Sequence, residues 1–247
     1  MAKSVLKYVQ RCLSVMDSDK VDSISDTEES SQIAEQLEEV YYELLARQDW
    51  PFLHKPLVLD GAGDVASPTS YTIPEAVKLI EQLSYNVSES GGYIKRDLEY
   101  VDPMCFIERC QADEDSSDHL LVQLGNKVRF YVALNRWPSF WTSFDDTTVV
   151  MDAVHQTYDS TLTTAKLDGH GIVIPTFSVA DAYEPGIPQN MEPLLQAELN
   201  RQCFRYFKQV ESVTDEQKAK RQLARGRREA GKSDRPADRY YRNRFGR

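Results

Sequence analysis

Residues 25–52 read SDTEESSQIAEQLEEVYYELLARQDWPF, and this stretch decides the fold. Asp26 suits a helix N-cap, with Glu29 three residues on to close a capping box. Ile33, Leu37, Val40, Tyr41 and Leu44 then recur at helical spacing, so one side of this helix needs a core. The helix ends in the charged turn Arg47-Gln48-Asp49. Beyond it Trp50-Pro51-Phe52 redirects the chain, because a proline disfavours helix in the residue before it.

Upstream, Val5, Val9, Cys12 and Met16 follow 4, 3, 4 spacing and predict a first amphipathic helix ending near Asp17. The short acidic connection 18–25 makes the two helices a hairpin. Downstream the period changes to two. Lys55–Leu59 is a strand, and 60–70 is a loop rich in Gly, Pro and Ser. Alternation at Leu79, Glu81, Leu83, Tyr85 and Val87 gives a half-buried strand, with helix open for its first turn. Gly91-Gly92 turns the chain into a returning strand, 93–101.

Asp102-Pro103 opens a short helix, 104–110, with Asp as cap and Pro at its first position. A hairpin follows, Leu120–Leu124 and Val128–Val132 around Gly125-Asn126. A second pairs 140–144 with 147–154 around Asp145-Asp146, and 172–177 adds one more strand. Strands joined by tight turns imply an antiparallel sheet, closed as a small barrel or packed as a sandwich. Helix returns after Tyr183–Pro188, with Asn190 as cap and Pro193 in its first turn. Leu195, Leu199, Cys203, Tyr206 and Val210 form its stripe, with Leu194 and Phe207 alongside. This stripe should pack on the first two helices. A charged helix spans 215–230.

The expected organisation is α+β. Residues 1–53 and 189–230 form a helical bundle, 54–188 an inserted β-rich domain, and 231–247 an extended C-terminal arm. The net charge of −10 divides unevenly. From Thr214 onward 12 Lys or Arg face 5 Asp or Glu, leaving 17 against 34 in the preceding 213 residues. An acidic body carrying a basic tail is a poor gripping surface for duplex phosphates. No apolar run is long enough to span a bilayer, and the N-terminus lacks the apolar core of a secretory signal.

Catalytic signatures are lacking. His54, His119, His155 and His170 stand alone, with His155 read as an exposed strand residue, and no GxSxG is present. Asp145, Asp146 and Asp152 are where a cation would gather, yet aspartates beside a hairpin serve the turn. Gly169-His170-Gly171 reads as a bend. Cys105 and Cys110 form the only close cysteine pair, with no histidine at ligand spacing, so Cys12, Cys105, Cys110 and Cys203 read as reduced, mostly buried thiols. Residues 226–233, GRREAGKS, fit GxxxxGK[ST] but follow a charged helix rather than a buried strand, which removes the phosphate-loop mechanism. No enzyme, cofactor or metal is expected.

The arm is the informative feature. Tyr240, Tyr241 and Phe245 interleave with Arg239, Arg242 and Arg244, and Arg235 and Arg247 extend the pattern. Such an arm is a solvated tail, a contact for nucleic acid, or an anchor in an acidic groove of a protein partner. Interleaved Tyr and Arg favour the anchor.

Several stretches together resemble the head-to-tail adaptor, or tail tubular protein A-like, proteins of short-tailed bacteriophages. They are LLARQDWPF (44–52), RFYVALNRWPSFWTSFDD (129–146) running into VVMDAV, and YDSTLTTAK (158–166) before VIPTFSVADAYEPGIP (173–188). LLQAELNRQCFRYFKQV (194–210), DEQKAKRQLARGRR (215–228) and the closing RFGR complete the match. The resemblance implies a structural virion protein at the head–tail junction, made in the host cytoplasm. It implies a homo-oligomeric ring, commonly of twelve copies, between the portal protein and the tail nozzle protein. Genomic DNA would pass through that ring without specific binding, and the arm would dock on the portal. Ring closure needs head-to-tail subunit contacts, expected at Leu194, Leu195, Leu199, Phe204 and Phe207. Competing readings are a nucleic-acid-binding virion protein using the basic tail, and a receptor- or carbohydrate-binding tail module with Trp137 and Trp141 as stacking platforms.

Overall fold

The computed structural model of the protein describes residues 3–63, 67–87, 94–111, 118–124, 128–155, 167–208 and 213–233. It contains two compact units. One is His54–Ile174, and the other is a helical unit made of the residues up to Leu53 and from Pro175.

In the helical unit, α1 (Val5–Val15) and α2 (Glu28–Ala46) pack on each other, and both pack on α4 (Glu192–Cys203). Val5, Val9 and Cys12 of α1 and Ile33, Leu37, Val40, Tyr41 and Leu44 of α2 are buried, as their spacing requires. The start of α2 differs from expectation. Thr27, not Asp26, is the N-cap, and Ser30, not Glu29, completes the capping box. Asp26 is used elsewhere: its carboxylate accepts from the amides of Asp22 and Ser23 and folds the connection ahead of the helix. At the other end the Trp50 indole N–H donates to the carbonyl of Leu44 at 2.9 Å, satisfying one of the carbonyls a helix terminus leaves open. The tryptophan is thereby buried.

Helix α4 is more enclosed than a single stripe predicts, since every residue from Leu194 to Asn200 is buried. Several of its polar groups find partners inside the unit, although Gln196 Oε1 and Glu192 Oε1 are buried without one among the described residues. The Gln196 amide donates to the Tyr8 carbonyl and to Asn200, while Glu198 accepts from Arg47 at 2.6 Å and Arg201 at 2.7 Å. Its N-cap is Met191 with no side-chain cap bond, so Asn190 does not cap it. After Cys203 the chain continues as a π-helical turn, Phe204–Lys208. The wider turn shifts the side-chain phase, and Tyr206, expected on the buried stripe, is 63% exposed. Val210 lies outside the described residues. Helix α5 (Val213–Ser233) packs on α4 and runs past 230, so the first residues assigned to the arm are helical.

The β-unit ends at Ile174 rather than at 188. Residues 175–188 belong with the helices because their polar groups are satisfied there. The amide of Val5 donates to Tyr183 O, that of Phe177 to the Tyr42 hydroxyl, and that of Ile24 to Asp181.

Within the β-unit the strands are β1 (His54–Gly61), β2 (Ser70–Thr72), β3 (Val77–Asn86), β4 (Lys95–Tyr100), β5 (His119–Leu124), β6 (Val128–Leu134), β7 (Phe140–Ser143), β8 (Thr148–Met151), β9 (Ala153–Val154) and β10 (Leu167–Val173). Seven close a barrel in the order β1-β10-β3-β4-β7-β8-β2, and β5-β6-β9 form a separate sheet. The sheets are not purely antiparallel, because β4 pairs with β7, and β6 with β9, in parallel. The last strand is Leu167–Val173 rather than 172–177; it enters the barrel between β1 and β3, with His54 opposite Ile172. Gly91-Gly92 and Gly125-Asn126 lie outside the described residues.

Leu59, Leu83, Tyr85, Trp141 and Leu167 are among the residues that fill the barrel. A second core joins the three-stranded sheet to α3 (Pro103–Arg109), which Asp102 caps by accepting from the Met104 amide. Phe106 sits at its centre, edge-on to Phe130, Phe140 and Phe144. Burial there pushes the Cys110 thiol up to about 12, with the charge of Asp152 adding to the shift, so this cysteine stays protonated.

Candidate functional site

Three adjacent strands of the barrel bring together residues far apart in sequence. His54 opens β1, Glu81 lies in β3, and His170 is in β10 between them. Across the β1–β10 ladder His170 stands opposite Pro56. Side chains alternate along a strand, so Pro56 and His54 share a face, and His54 is a diagonal neighbour of His170. On the other side, His170 pairs with Gln82 while Gly171 pairs with Ile80. Glu81 is therefore the extra residue of a β-bulge, a device that re-aims a side chain.

The outcome is a shared contact. The Nδ1 atoms of His54 and His170 lie 3.0 Å and 2.9 Å from the same oxygen, Oε2 of Glu81. The rings are nearly parallel, with centroids 6.0 Å apart. Side-chain exposure of 30%, 33% and 48% for His54, Glu81 and His170 leaves the cluster open to solvent. Neither histidine stands alone, and Gly169-His170-Gly171 is strand rather than bend. Its glycines are there for space. A Cβ at Gly169 would lie 2.6 Å from the Gln82 carbonyl oxygen and the Leu83 side chain. One at Gly171 would collide with Leu79 O and lie 2.8 Å from the Leu57 side chain.

Beside the cluster a groove of about 690 Å³ runs over β3, with Glu81 in its wall together with Ile73, Val77, Leu79, Tyr100 and Trp141. The two tryptophans that would serve as stacking platforms are partly committed. Trp141 is buried against Tyr100, and Trp137 is half-buried against His155 and Tyr85. His155 is thus packed on a ring after β9 and is not an exposed strand residue.

The aspartates do not gather. Asp152 is buried and accepts from Arg136 at 2.7 Å and from the amides of Ser139 and Phe140. Asp145 accepts from the amides of Thr147 and Thr148 in the β7–β8 turn. Burial alone would push its carboxyl up, but these hydrogen bonds outweigh that and hold it below the usual range. Among the described residues, His54, Glu81 and His170 are the only group of three or more His, Cys, Asp or Glu at metal-ligand spacing.

The GxxxxGK[ST] match lies wholly within α5, so no loop of backbone amides is available to cradle phosphate. Gly226 instead faces Trp50, whose ring would lie 3.4 Å from a Cβ there. Of the residues expected at subunit contacts, Leu194, Leu195 and Leu199 are buried in the helical unit's own core and offer no surface; Phe204 and Phe207 remain half-exposed. The arm residues Arg235, Arg239, Tyr240, Tyr241, Arg242, Arg244, Phe245 and Arg247 lie outside the described residues.

Glu81 was legible only as one polar member of an alternating strand. Nothing local links it to two histidines 27 and 89 residues away. A histidine between two glycines is the available signal, and in sequence it reads as a bend. The sequence matches no protein-family model and no curated protein.

Proposed function

We propose that the chain is a structural subunit of a short-tailed bacteriophage, a head-to-tail adaptor whose copies close a ring between portal and tail nozzle. The observation that carries this reading is the charge arrangement on α5. Lys218, Lys220, Arg221, Arg227 and Arg228 are exposed along a helix leading directly to residues 234–247, on a chain whose other residues are strongly acidic. A cationic, aromatic-bearing end suits a protein anchor, while an acidic wall repels passing DNA phosphates. The order of elements is compatible with it: the β-unit is inserted between α2 and α4 of the helical unit, as the sequence pattern leads one to expect. No helix of the described residues is long and apolar enough to cross a membrane.

Subunit contacts then fall to the half-exposed Phe204 and Phe207 and the exposed Tyr206, clustered on the π-helical turn. Electron microscopy of the protein mixed with its cognate portal tests the reading. Closed rings should cap the portal with the full chain, and should be lost with residues 234–247 deleted or with Phe204→Asp and Phe207→Asp combined. Unchanged assembly in both variants, or no assembly at all, contradicts it. A gel shift across a salt series separates the nucleic-acid alternative, which requires duplex or single-strand binding that weakens steeply as salt rises.

A further inference from the structure

We propose that His54, Glu81 and His170 form a binding site for one divalent transition-metal ion of the zinc type. The donor set is the first ground. Two imidazole nitrogens and a carboxylate oxygen suit Zn²⁺, Co²⁺ or Ni²⁺, whereas Mg²⁺ and Ca²⁺ take oxygen shells. Geometry is the second. Tetrahedral bonds of about 2.0–2.1 Å hold their donors ~3.3–3.4 Å apart, and the two N–O edges here are 3.0 Å and 2.9 Å, so the donors need to spread by only a few tenths of an ångström. All three donor atoms lie within 4.8 Å of one another, so an ion needs only small side-chain rotations.

Rigidity is the third ground. All three ligands sit on neighbouring strands of a closed barrel rather than on loops, which keeps a constellation in place. The bulge turns Glu81 outward, and the close approach of β3 at Gly169 and Gly171 fixes the backbone on both sides of His170. When the ion binds, each Nδ1 gives up its hydrogen bond to Glu81 and presents its lone pair, while Nε2 carries the ring proton. Three protein ligands on an open face leave further coordination positions for water or for a donor from a partner.

The test uses full-length protein without a polyhistidine tag, stripped with a chelator. Zn²⁺ is titrated by calorimetry and Co²⁺ by visible absorption. One ion per chain is expected, with no response to Mg²⁺ or Ca²⁺ and no thiolate charge-transfer band. His54→Ala and His170→Ala should each weaken binding by more than about 10-fold, and Glu81→Gln by about 10-fold. A rise in Tm with Zn²⁺ should be present in the native protein and absent in the variants. All three side chains are at least 30% exposed, so the variants should keep the native far-UV spectrum. No saturable Zn²⁺ binding overturns the proposal. Binding unchanged in a folded His54→Ala, His170→Ala double variant overturns it too, placing the metal elsewhere, with the exposed Cys105 the first alternative.

Discussion

Glu198 shows how one carboxylate can tie helices together. It lies on α4, nearly buried, and is gripped by Arg47 from the end of α2 and by Arg201 one turn along its own helix. Burial alone would push its carboxyl up. Hydrogen bonds from Arg47 and Arg201, together with their charges, outweigh that and hold it below the usual range. A depressed folded value stabilises the protein above the unfolded value, and the gain is lost as pH falls through the folded one. Thermal midpoints measured from neutral to acidic pH should therefore drop in that window. Glu198→Gln should lower stability by about 1–3 kcal/mol at neutral pH and flatten the acid slope. An unchanged slope would mean that the two arginines contribute nothing there. The same logic explains why Leu194 and Leu199 were misplaced from sequence. A helix carrying Gln196, Glu198 and Asn200 reads as half-solvated, whereas Glu198 is paired with two arginines, the Gln196 amide donates to Tyr8 and Asn200, and every residue from Leu194 to Asn200 is buried.

Strand β10 depends on what its glycines lack. Gly171→Ala puts a methyl group into the Leu79 carbonyl and the Leu57 side chain, so β3 or β1 must give way. A loss of roughly 1–3 kcal/mol is expected from such overpacking, read as a lower denaturant midpoint; a neutral result would show that the ladder can spread without cost. This element also marks the limit of what the linear chain discloses. Apolar periodicity locates α1, α2 and most strands, because burial on one face writes itself into spacing. Close backbone approach writes itself only as glycine, which a turn would use equally well. The Thr27 cap was missed for a related reason: Asp26, Thr27, Glu29 and Ser30 all have capping chemistry, and which pair closes the box depends on where the preceding connection places Asp26. The π-helical turn at Phe204 has no spacing signature of its own, and Tyr206, which lies on it, is exposed rather than buried.

At the scale of the molecule, the two units have separate cores. The barrel is filled by residues such as Leu59, Leu83, Tyr85 and Trp141, and all of them lie within His54–Ile174. A fragment 54–174 should therefore fold alone, giving a cooperative melt and a near-UV signal from its packed aromatics; a broad, featureless transition would show that the barrel needs the helices. Its two ends make this reasonable. His54 and Ile172 face each other across one ladder, where strands run about 5 Å apart, so the two ends of the segment lie side by side within the barrel itself. Termini that meet in this way make the barrel an exchangeable module: another domain whose ends lie equally close could be spliced in between residues 53 and 175.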